Sequence, residues 1–432
     1  MIENKKILII SMSAWNSKVG SDTWPTLMEG LNPDNIANIA LRDEVPDSLA
    51  CNNYFVISEN RVLKSIFKRK IKTGKRVERE DSNDNQSDDL KAHNLRYQKM
   101  SKRRGFFTLL AREIVWKVGK WKTKELNSFM EEFKPDVILY FMDGYIHLNR
   151  ICKYAKKKTG AKTIGFFVDD TFTFKQSNKL GTKLFRIFQR RSLKKLAKKT
   201  DAFWALSDMT KKEADQTFKV CCTVVTKPLK RDAEWSDWEV NKPIKMLYTG
   251  NMQIGRDRSL LKVVNAVKNL NKENRNFEIE AYTKTFLDES IKKQLECDFC
   301  KINGAVPQQQ VFELQKQADI LLFLEDVDGP DAKTARLSFS TKITDYLSSG
   351  RSILAIGNLD TSPMQYFIQN DCAMIATSQE EIEKILSQVI INPSMLKDCA
   401  KSACECGIKN HKKENILNTV HQSIEQLFKD TK

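Results

Sequence analysis

The chain has 432 residues, of which 41% are hydrophobic and 9% aromatic. At roughly 150 residues per domain this length predicts two or three packed domains and excludes a mostly disordered chain. Lysine and arginine number 72 against 55 acidic residues, and the formal net charge of +17 favours anionic partners such as phosphates, nucleic acid or an acidic membrane face. A biased composition with many surface lysines is the alternative explanation of that charge.

Export and membrane insertion are not expected. No apolar run approaches the ~18 residues of a spanning helix, and the run Ile7-Leu8-Ile9-Ile10 is too short for a signal peptide. The ten cysteines are scattered, which favours reduced thiols and a cytoplasmic protein. The pairs Cys297/Cys300 and Cys404/Cys406 have no histidine at ligand spacing, so no metal site is predicted.

Both halves of the chain alternate apolar strand runs with helical patterns. The first half has strands at residues 6–11, 53–58, 136–141, 163–168 and 202–206, with helices at 107–132 and 183–199. The second half has strands at 244–248, 277–282, 300–304, 319–324 and 352–356, with helices at 259–270, 309–318, 340–348, 380–389 and 415–428. Strands separated by helices predict parallel βαβ units.

A polar segment at 230–243 predicts the domain linker. The expected division is an N-terminal domain at 1–238, a C-terminal domain at 239–410 and a final helix at 411–432 that packs back on the first domain. Residues 73–94 have almost no apolar content and are predicted to be a mobile excursion. The predicted fold is therefore α/β, with two doubly wound, Rossmann-like domains facing across a cleft, and a ligand at the carboxyl ends of the strands.

The segment 339–355 carries the strongest chemical signal. Ser340 and Thr341 open a helix whose free N–H groups favour an anion, Lys342 adds a point charge suited to phosphate, and Asp345 follows one turn later. A capped helix with a solvated lysine and aspartate explains the same residues without a ligand.

The order Lys342, Asp345, Tyr346, Leu347, Gly350 and an apolar strand to Ala355 resembles the donor-binding motif of GT-B glycosyltransferases of the group 1, family-four-like class. The resemblance extends to Leu247–Asn251 followed by Arg256, to 302–321, and in the first half to 133–137, 168–170 and 202–207.

This resemblance implies roles on the donor side. Asp345 stands where the family holds the ribose, Arg256 is the expected pyrophosphate clamp with Arg258 as its competitor, and Lys342 with Ser340 and Thr341 serves the phosphates. The remaining donor residues are Gly250 and Asn251 at the end of the first strand of the C-terminal domain, and the loop from Gly304 to Pro307, which faces the base.

The chain departs from the family pattern at one acidic position. The family often carries a second acidic residue eight positions before Asp345, where this chain has Leu337, and Asp328 or Asp331 are the candidate substitutes.

On the acceptor side, the resemblance assigns the catalytic position to Asp169 and Asp170. Asp143, Tyr145 and His147 follow another strand end and are expected to line the acceptor side. A purely structural role for His147 stays open.

The activity that the resemblance implies is transfer of a sugar from a nucleoside-diphosphate sugar to a polysaccharide or lipid-linked glycan, with retention of anomeric configuration. The nucleotide sugar is a co-substrate, and no cofactor is expected. A nucleotide-sugar isomerase of the 2-epimerase kind shares the fold and is the alternative. A nucleic-acid-binding protein is suggested by charge alone, and without a recognisable nucleic-acid motif no nucleic acid partner is expected.

The segment 183–199 contains no acidic residue, and Leu184, Phe185, Phe188, Leu193 and Leu196 are predicted to form one apolar face. Such a helix either packs on the sheet or contacts anionic phospholipid, which would place the protein peripherally on the inner face of the cell membrane.

Overall fold

The computed structural model describes residues 2–16, 23–79, 106–176 and 180–429. The chain divides into two compact units, residues 1–225 with 417–432, and residues 226–416. Each unit is built around its own sheet.

The N-terminal unit has an eight-stranded sheet in the order β4-β3-β2-β1-β5-β6-β7-β8. Its strands are β1 Ile7–Ser11, β2 Ile36–Ala40, β3 Asn53–Ile57, β4 Gly74–Val77, β5 Val137–Phe141, β6 Lys162–Phe167, β7 Ala202–Ala205 and β8 Cys222–Val224. Neighbouring strands are parallel, except that β4 runs antiparallel to β3. The helices described are α1 Thr23–Leu27, α2 Glu59–Phe67, α3 Phe106–Val118, α4 Lys124–Phe133, α5 Ile146–Thr159, α6 Leu180–Ala197 and α7 Asp208–Phe218, with short 3-10 turns at Ile2–Asn4 and Pro33–Asn35.

The C-terminal unit has a six-stranded, fully parallel sheet in the order β11-β10-β9-β12-β13-β14. Its strands are β9 Ile244–Thr249, β10 Phe277–Tyr282, β11 Cys300–Asn303, β12 Ile320–Leu324, β13 Ser352–Ile356 and β14 Met374–Ala376. Its helices are α8 Arg256–Leu270, α9 Glu289–Leu295, α10 Gln308–Gln317, α11 Thr341–Leu347, α12 Ser362–Asn370, α13 Gln379–Ile391 and α14 Ser394–His411. A last helix, α15 Lys413–Lys429, begins in this unit and ends in the first.

The apolar runs of the sequence become the central strands. All five residues of β1, β2, β12 and β13 are buried, as expected for parallel strands covered on both faces. In each sheet the strand order reverses once, at β1/β5 and at β9/β12. The carboxyl ends of strands at such a reversal form the crevice in which doubly wound sheets bind ligands.

Two local predictions need correction. The single helix expected at 107–132 is two helices, because the chain breaks at Gly119 and restarts at Thr123, whose side chain accepts a hydrogen bond from the Leu126 amide at 3.2 Å. A side chain at Gly119 would lie 2.6 Å from Val62, so the break also seats the chain against α2. Within the expected excursion at 73–94, Gly74–Val77 forms the edge strand β4, while residues 80–94 lie outside the described residues.

The unit boundary falls after Val225 rather than after residue 238. The linker segment contacts the C-terminal unit throughout: Leu229 donates to the His411 carbonyl at 2.9 Å, Arg231 to Ser348 at 3.2 Å, and Trp238 to Asp319 at 2.9 Å. The last helix groups with the first unit from residue 417 onward.

None of the helices within the described ranges combines the length and apolar content needed to cross a bilayer. All ten cysteines are free thiols.

Candidate functional site

The strand-order reversal of the C-terminal sheet brings together charged residues from three elements. Strand β9 ends beside Gly250, β12 is followed by Glu325, and α11 carries Lys342 and Asp345. The charges of Arg256, Glu325 and Asp345 all act on the Lys342 ammonium. The predicted donor residues Arg256, Lys342 and Asp345 therefore lie in one cluster.

Lys342 is held at the end of β9. Its Nζ donates a hydrogen bond to Tyr248 Oη at 2.8 Å and lies 4.1 Å from the centre of the Tyr248 ring. Tyr248 is fully buried, and its hydroxyl donates to the Asn251 carbonyl at 2.5 Å. The lysine passes directly over Gly250, where φ is +137° and a Cβ would lie 2.4 Å from Lys342 Cε. Only glycine satisfies both the backbone angle and the close approach.

Burial has a direct consequence for the Lys342 ammonium. Burial, and next the nearby Arg256 guanidinium, lower the pKa of Lys342 to about 7, against the opposing pull of Glu325 and Asp345. This amine titrates near neutral pH, which suits a group that meets a variable negative charge.

Arg256 opens α8 and forms a buried ion pair. Its Nη2 lies 2.9 Å from Glu325 Oε1, with side-chain exposures of 15% and 7%. Burial alone lowers the pKa of Arg256, but Glu325 more than offsets this and the net shift is upward. The Arg256 Nε is buried and has no hydrogen-bond partner among the described residues. The guanidinium is thus oriented by Glu325 and keeps a donor for a further acceptor.

Arg258 serves the loop after β12 instead. Its Nη2 pairs with Asp326 Oδ2 at 2.7 Å and with Asp331 Oδ2 at 3.2 Å. Asp326 also accepts from the Asp331 amide at 2.9 Å, and a Cβ at Gly255 would lie 2.4 Å from Asp326 Cγ. These contacts engage Arg258 and Asp331 in holding the loop, so neither is favoured as a donor ligand.

The other predicted donor residues differ in position. Ser340 caps α11, its Oγ accepting from the Lys342 amide at 3.3 Å, and Thr341 is the first residue of that helix. Asn251 is exposed beside Gly250. Gly304 and Pro307 are exposed after β11, which is separated from β9 by β10 and so lies roughly 10 Å away. Leu337, which stands where the family carries its second acidic residue, is fully buried, and the candidate substitute Asp328 is exposed.

In the N-terminal unit, the predicted aspartates lie at the ends of the adjacent strands β5 and β6. Asp170 is buried and accepts hydrogen bonds from Thr173 through both carboxylate oxygens, at 3.0 and 2.5 Å. Asp169 is exposed, and Asp143 is half-buried with its Oδ1 accepting from the Gly144 amide at 2.5 Å. Of the predicted catalytic pair, Asp169 is the more accessible carboxylate and Asp170 shapes the loop.

Arg186 is a buried residue of this region that the sequence reasoning missed. It is 5% exposed on α6, and its charge acts on both Asp143 and Asp170. Burial lowers its pKa, and the two carboxylates oppose that shift. The signal in the sequence is its position seven residues before the buried Leu193, which places an arginine on the core-facing side of the helix.

His147 lies in the interior. Its Nδ1 is 2.7 Å from Glu113 Oε1, its ring stacks on Trp116 at 4.9 Å, and burial lowers its pKa. These contacts anchor the imidazole on α3, as the structural role that the sequence left open would require. Tyr145 is half-buried at the start of α5, where the Arg112 guanidinium lies 5.4 Å from its ring.

No protein-family model matches the chain, and no curated protein matches it significantly in sequence. Solved structures match it in fold. Sucrose-phosphate synthase from Thermosynechococcus elongatus is similar at a TM-score of 0.61 and 11% identity, over 99% of this chain and 100% of that chain. The Anabaena protein HepE in complex with UDP is similar at a TM-score of 0.63 and 10% identity, over 98% of this chain and 100% of that chain.

The chain has the GT-B fold. A third similar structure, α,α-trehalose 6-phosphate synthase from Burkholderia multivorans, agrees at a TM-score of 0.61 and 8% identity, over 99% of this chain and 100% of that chain. The two Rossmann-like α/β domains predicted from the sequence are confirmed. In this GT-B chain, the cluster around Lys342 lies in the C-terminal unit, the one predicted to hold the donor.

Proposed function

We propose that this protein transfers a sugar from a nucleoside-diphosphate sugar to a polysaccharide or lipid-linked glycan. The observation that carries the proposal is the convergence of Arg256, Lys342 and Asp345 where the strand order of the C-terminal sheet reverses. Two cations with a carboxylate one turn away suit a diphosphate and its ribose. HepE, which has the same fold, was solved with UDP and with UDP-glucose, and this supports a uridine nucleotide as the first donor to test.

The chemistry follows from where charge develops. When the bond between the anomeric carbon and the diphosphate oxygen breaks, negative charge grows on the leaving phosphate. Arg256 and Lys342 stabilise that charge, and Glu325 holds Arg256 in place beforehand. We assign Asp345 to the ribose hydroxyls and the exposed Asp169 to the acceptor side. Retention of configuration remains part of the proposal through the family resemblance.

Thermal-shift measurements with UDP, GDP, CMP and ADP test the donor assignment. A ligand at a hundred times its Kd adds about 2.7 kcal/mol to the free energy of unfolding. We expect UDP to raise the melting temperature, Asp345→Asn to reduce that rise, and the exposed control Asp360→Asn to keep it. No shift with any nucleotide would contradict the proposal.

Product analysis separates transfer from isomerisation. A transferase releases the nucleoside diphosphate in proportion to acceptor, whereas an isomerase yields a second nucleotide sugar without release and without acceptor. The similar structures reported above do not favour the isomerase.

We further propose that α3 and α6 contact an anionic membrane face, where a lipid-linked acceptor would lie. The single apolar face expected for α6 is in fact two: Phe185, Leu193 and Leu196 are buried, while Leu184 and Phe188 are exposed. The exposed apolar residues of the two helices lie at helical spacings of three, four or seven positions, apart from one adjacent pair: Phe107, Ile114 and Val118 on α3, and Leu180, Leu184, Ile187 and Phe188 on α6.

The two helices pack against each other, with the rings of Phe106 and Phe185 6.4 Å apart. Between Leu180 and Ala197 there is no acidic residue, and Arg191, Lys194 and Lys195 are exposed beside the apolar positions. Apolar side chains flanked by cations fit the boundary between anionic headgroups and acyl chains.

Sedimentation with vesicles tests this surface. We expect binding to phosphatidylglycerol vesicles that weakens in salt and in pure phosphatidylcholine. The double variant Phe107→Ser with Leu184→Ser should lose most of the binding, and Phe286→Ser, which removes a side chain 88% exposed in the other unit, should keep it. Equal loss in the control, or no preference for anionic lipid, would refute the membrane proposal.

A further inference from the structure

Lys342 is a half-buried residue whose amine is held in one place by its neighbours. Tyr248 contacts it through both its hydroxyl and its ring face, and Gly250 closes one side so tightly that a Cβ there would lie 2.6 Å from Nζ. Because the Tyr248 hydroxyl donates to the Asn251 carbonyl, its oxygen lone pair is left to accept from Lys342. A neutral phenol is a hydrogen-bond partner for the amine in either protonation state.

Charges of both signs act on Lys342. The Arg256 guanidinium on α8 opposes the ammonium form, and so does burial. Glu325 after β12 and Asp345 on α11 favour it, but Glu325 is already paired with Arg256 at 2.9 Å. The remaining titratable group on α11 is the buried hydroxyl of Tyr346, which donates to the Leu322 carbonyl at 3.2 Å and stays neutral.

We propose that Lys342 takes up one proton from solvent when a nucleoside diphosphate binds, and that Tyr248 is the residue that positions the amine for this. The inference rests on the proposed function and deepens it. A bound diphosphate brings negative charge within a few ångströms and therefore favours the ammonium form. With the diphosphate bound, the site holds an ammonium group paired with a phosphate. Without the ligand, it holds a neutral amine.

The sign of the pH dependence follows from linkage. If binding takes up a proton, affinity for the diphosphate falls as pH rises above about 7, by at most about tenfold per pH unit. Affinity persists at high pH because Arg256 remains charged. The uptake is best measured at pH 8, where a free diphosphate with a pKa of about 6 is already fully ionised and adds no proton of its own.

The experiment is calorimetric titration of the full chain with UDP at pH 8 in Tris and in HEPES, buffers of different ionisation enthalpy. We expect the binding enthalpies observed in the two buffers to differ by about 0.9 times the difference between the ionisation enthalpies of the buffers. This corresponds to uptake of about 0.9 proton, the value at pH 8 for a group with a pKa near 7. Lys342→Arg should bind UDP without uptake, because guanidinium stays protonated. The matched control Lys262→Arg on α8 should keep the uptake.

Tyr248→Phe separates positioning from titration. It preserves the ring and removes the hydroxyl, so the Kd for UDP should rise about fivefold, the effect of one hydrogen bond, while uptake persists. If the parent protein binds UDP with an enthalpy that does not depend on the buffer, the inference is overturned and the proposed function stands. Uptake retained in Lys342→Arg would also overturn it, and failure of UDP to bind in either buffer would overturn both.

Discussion

Arg256 and Arg258 lie two residues apart at the start of α8, yet their guanidinium groups serve different parts of the molecule. Arg256 pairs with Glu325 in the buried cluster, and Arg258 pairs with Asp326 and Asp331 in the loop after β12. Removing Arg256 alone would leave the nearly buried Glu325 carboxylate without its partner, a change that typically costs 3–5 kcal/mol. A test of ligand binding must therefore remove both charges together.

We expect Arg256→Gln with Glu325→Gln to keep the melting temperature near that of the parent and to weaken UDP binding tenfold or more, because a charge-assisted contact contributes about 1.5–3 kcal/mol. Arg258→Ala should keep UDP affinity but lower stability by up to about 3–5 kcal/mol, because the buried Asp326 carboxylate loses its arginine partner. Calorimetry and thermal melting measure both quantities. The opposite pattern would assign the diphosphate to Arg258.

His411 predicts a pH dependence of stability. Its Nδ1 donates to the Lys227 carbonyl at 2.6 Å, its Nε2 accepts from the Tyr366 hydroxyl at 2.7 Å, and burial lowers its pKa from 6.5 to about 4. The unfolded chain binds a proton near pH 6.5 that the folded chain binds only near pH 4. The contribution of neutral His411 is complete above pH 6.5 and is lost as pH falls towards 4, by about 3 kcal/mol in all.

Melting temperatures of the parent and of His411→Gln between pH 4 and 8 check this. The gap between the two proteins should narrow as pH falls, because the variant has no imidazole to protonate. A gap that is constant with pH would show that His411 does not titrate with unfolding.

At the scale of elements, α6 places side chains of one chemical type in two environments. Leu193 is fully buried, and Leu184 is 43% exposed on the same helix. The same leucine-to-alanine change at these two sites therefore isolates burial from helix propensity.

Leu193→Ala should lower the free energy of unfolding by about 2–5 kcal/mol, the range for a buried leucine, and leave vesicle binding intact. Leu184→Ala should change stability by no more than about 0.5 kcal/mol and weaken vesicle binding. Urea denaturation and vesicle sedimentation give the two readouts. If Leu184→Ala destabilised the protein as strongly, the exposed stripe would be part of the core.

At the scale of the whole molecule, the last helix belongs to the N-terminal unit although it follows the C-terminal one in sequence. Within that unit, Trp204 donates to Ser423 at 2.7 Å and the Lys5 amine lies 4.1 Å from the Phe428 ring. Val420 and Ile424 are fully buried. The first unit therefore takes part of its core from the end of the chain.

A chain shortened to residues 1–416 should lose several kcal/mol of stability in the N-terminal unit, since each buried aliphatic side chain contributes about 1.5–3 kcal/mol. The proposed donor cluster lies in the other unit, so UDP affinity should remain. Scanning calorimetry with and without UDP separates the two units. Ile424→Ala is the milder variant, and a stable N-terminal unit in both would contradict the assignment of this helix.

Periodicity and apolar runs determined most of the elements. The strands at 277–282 and 352–356 were predicted at their observed bounds. The first alternates buried and half-buried residues, and the second is buried along its whole length. Strands β2, β8 and β14 went unpredicted because three to five residues carry little local signal, and helices such as α5, α7 and α12 went unpredicted as well. The break within 107–132 depended on a tertiary contact, the packing of Gly119 on Val62.

The sequence by itself determined the two-domain α/β fold and, through order and resemblance, the identities of Arg256, Lys342 and Asp345. Only the tertiary structure showed the importance of Tyr248, Glu325 and Arg186. The partners of Glu325 and Tyr248 lie 69 and 94 residues away in sequence, and Arg186 is notable for its burial. It also separated Arg256 from Arg258, and the buried from the exposed face of α6. Spacing along a chain states which residues are near in sequence, whereas charge pairing and burial depend on which strands and helices the fold makes neighbours.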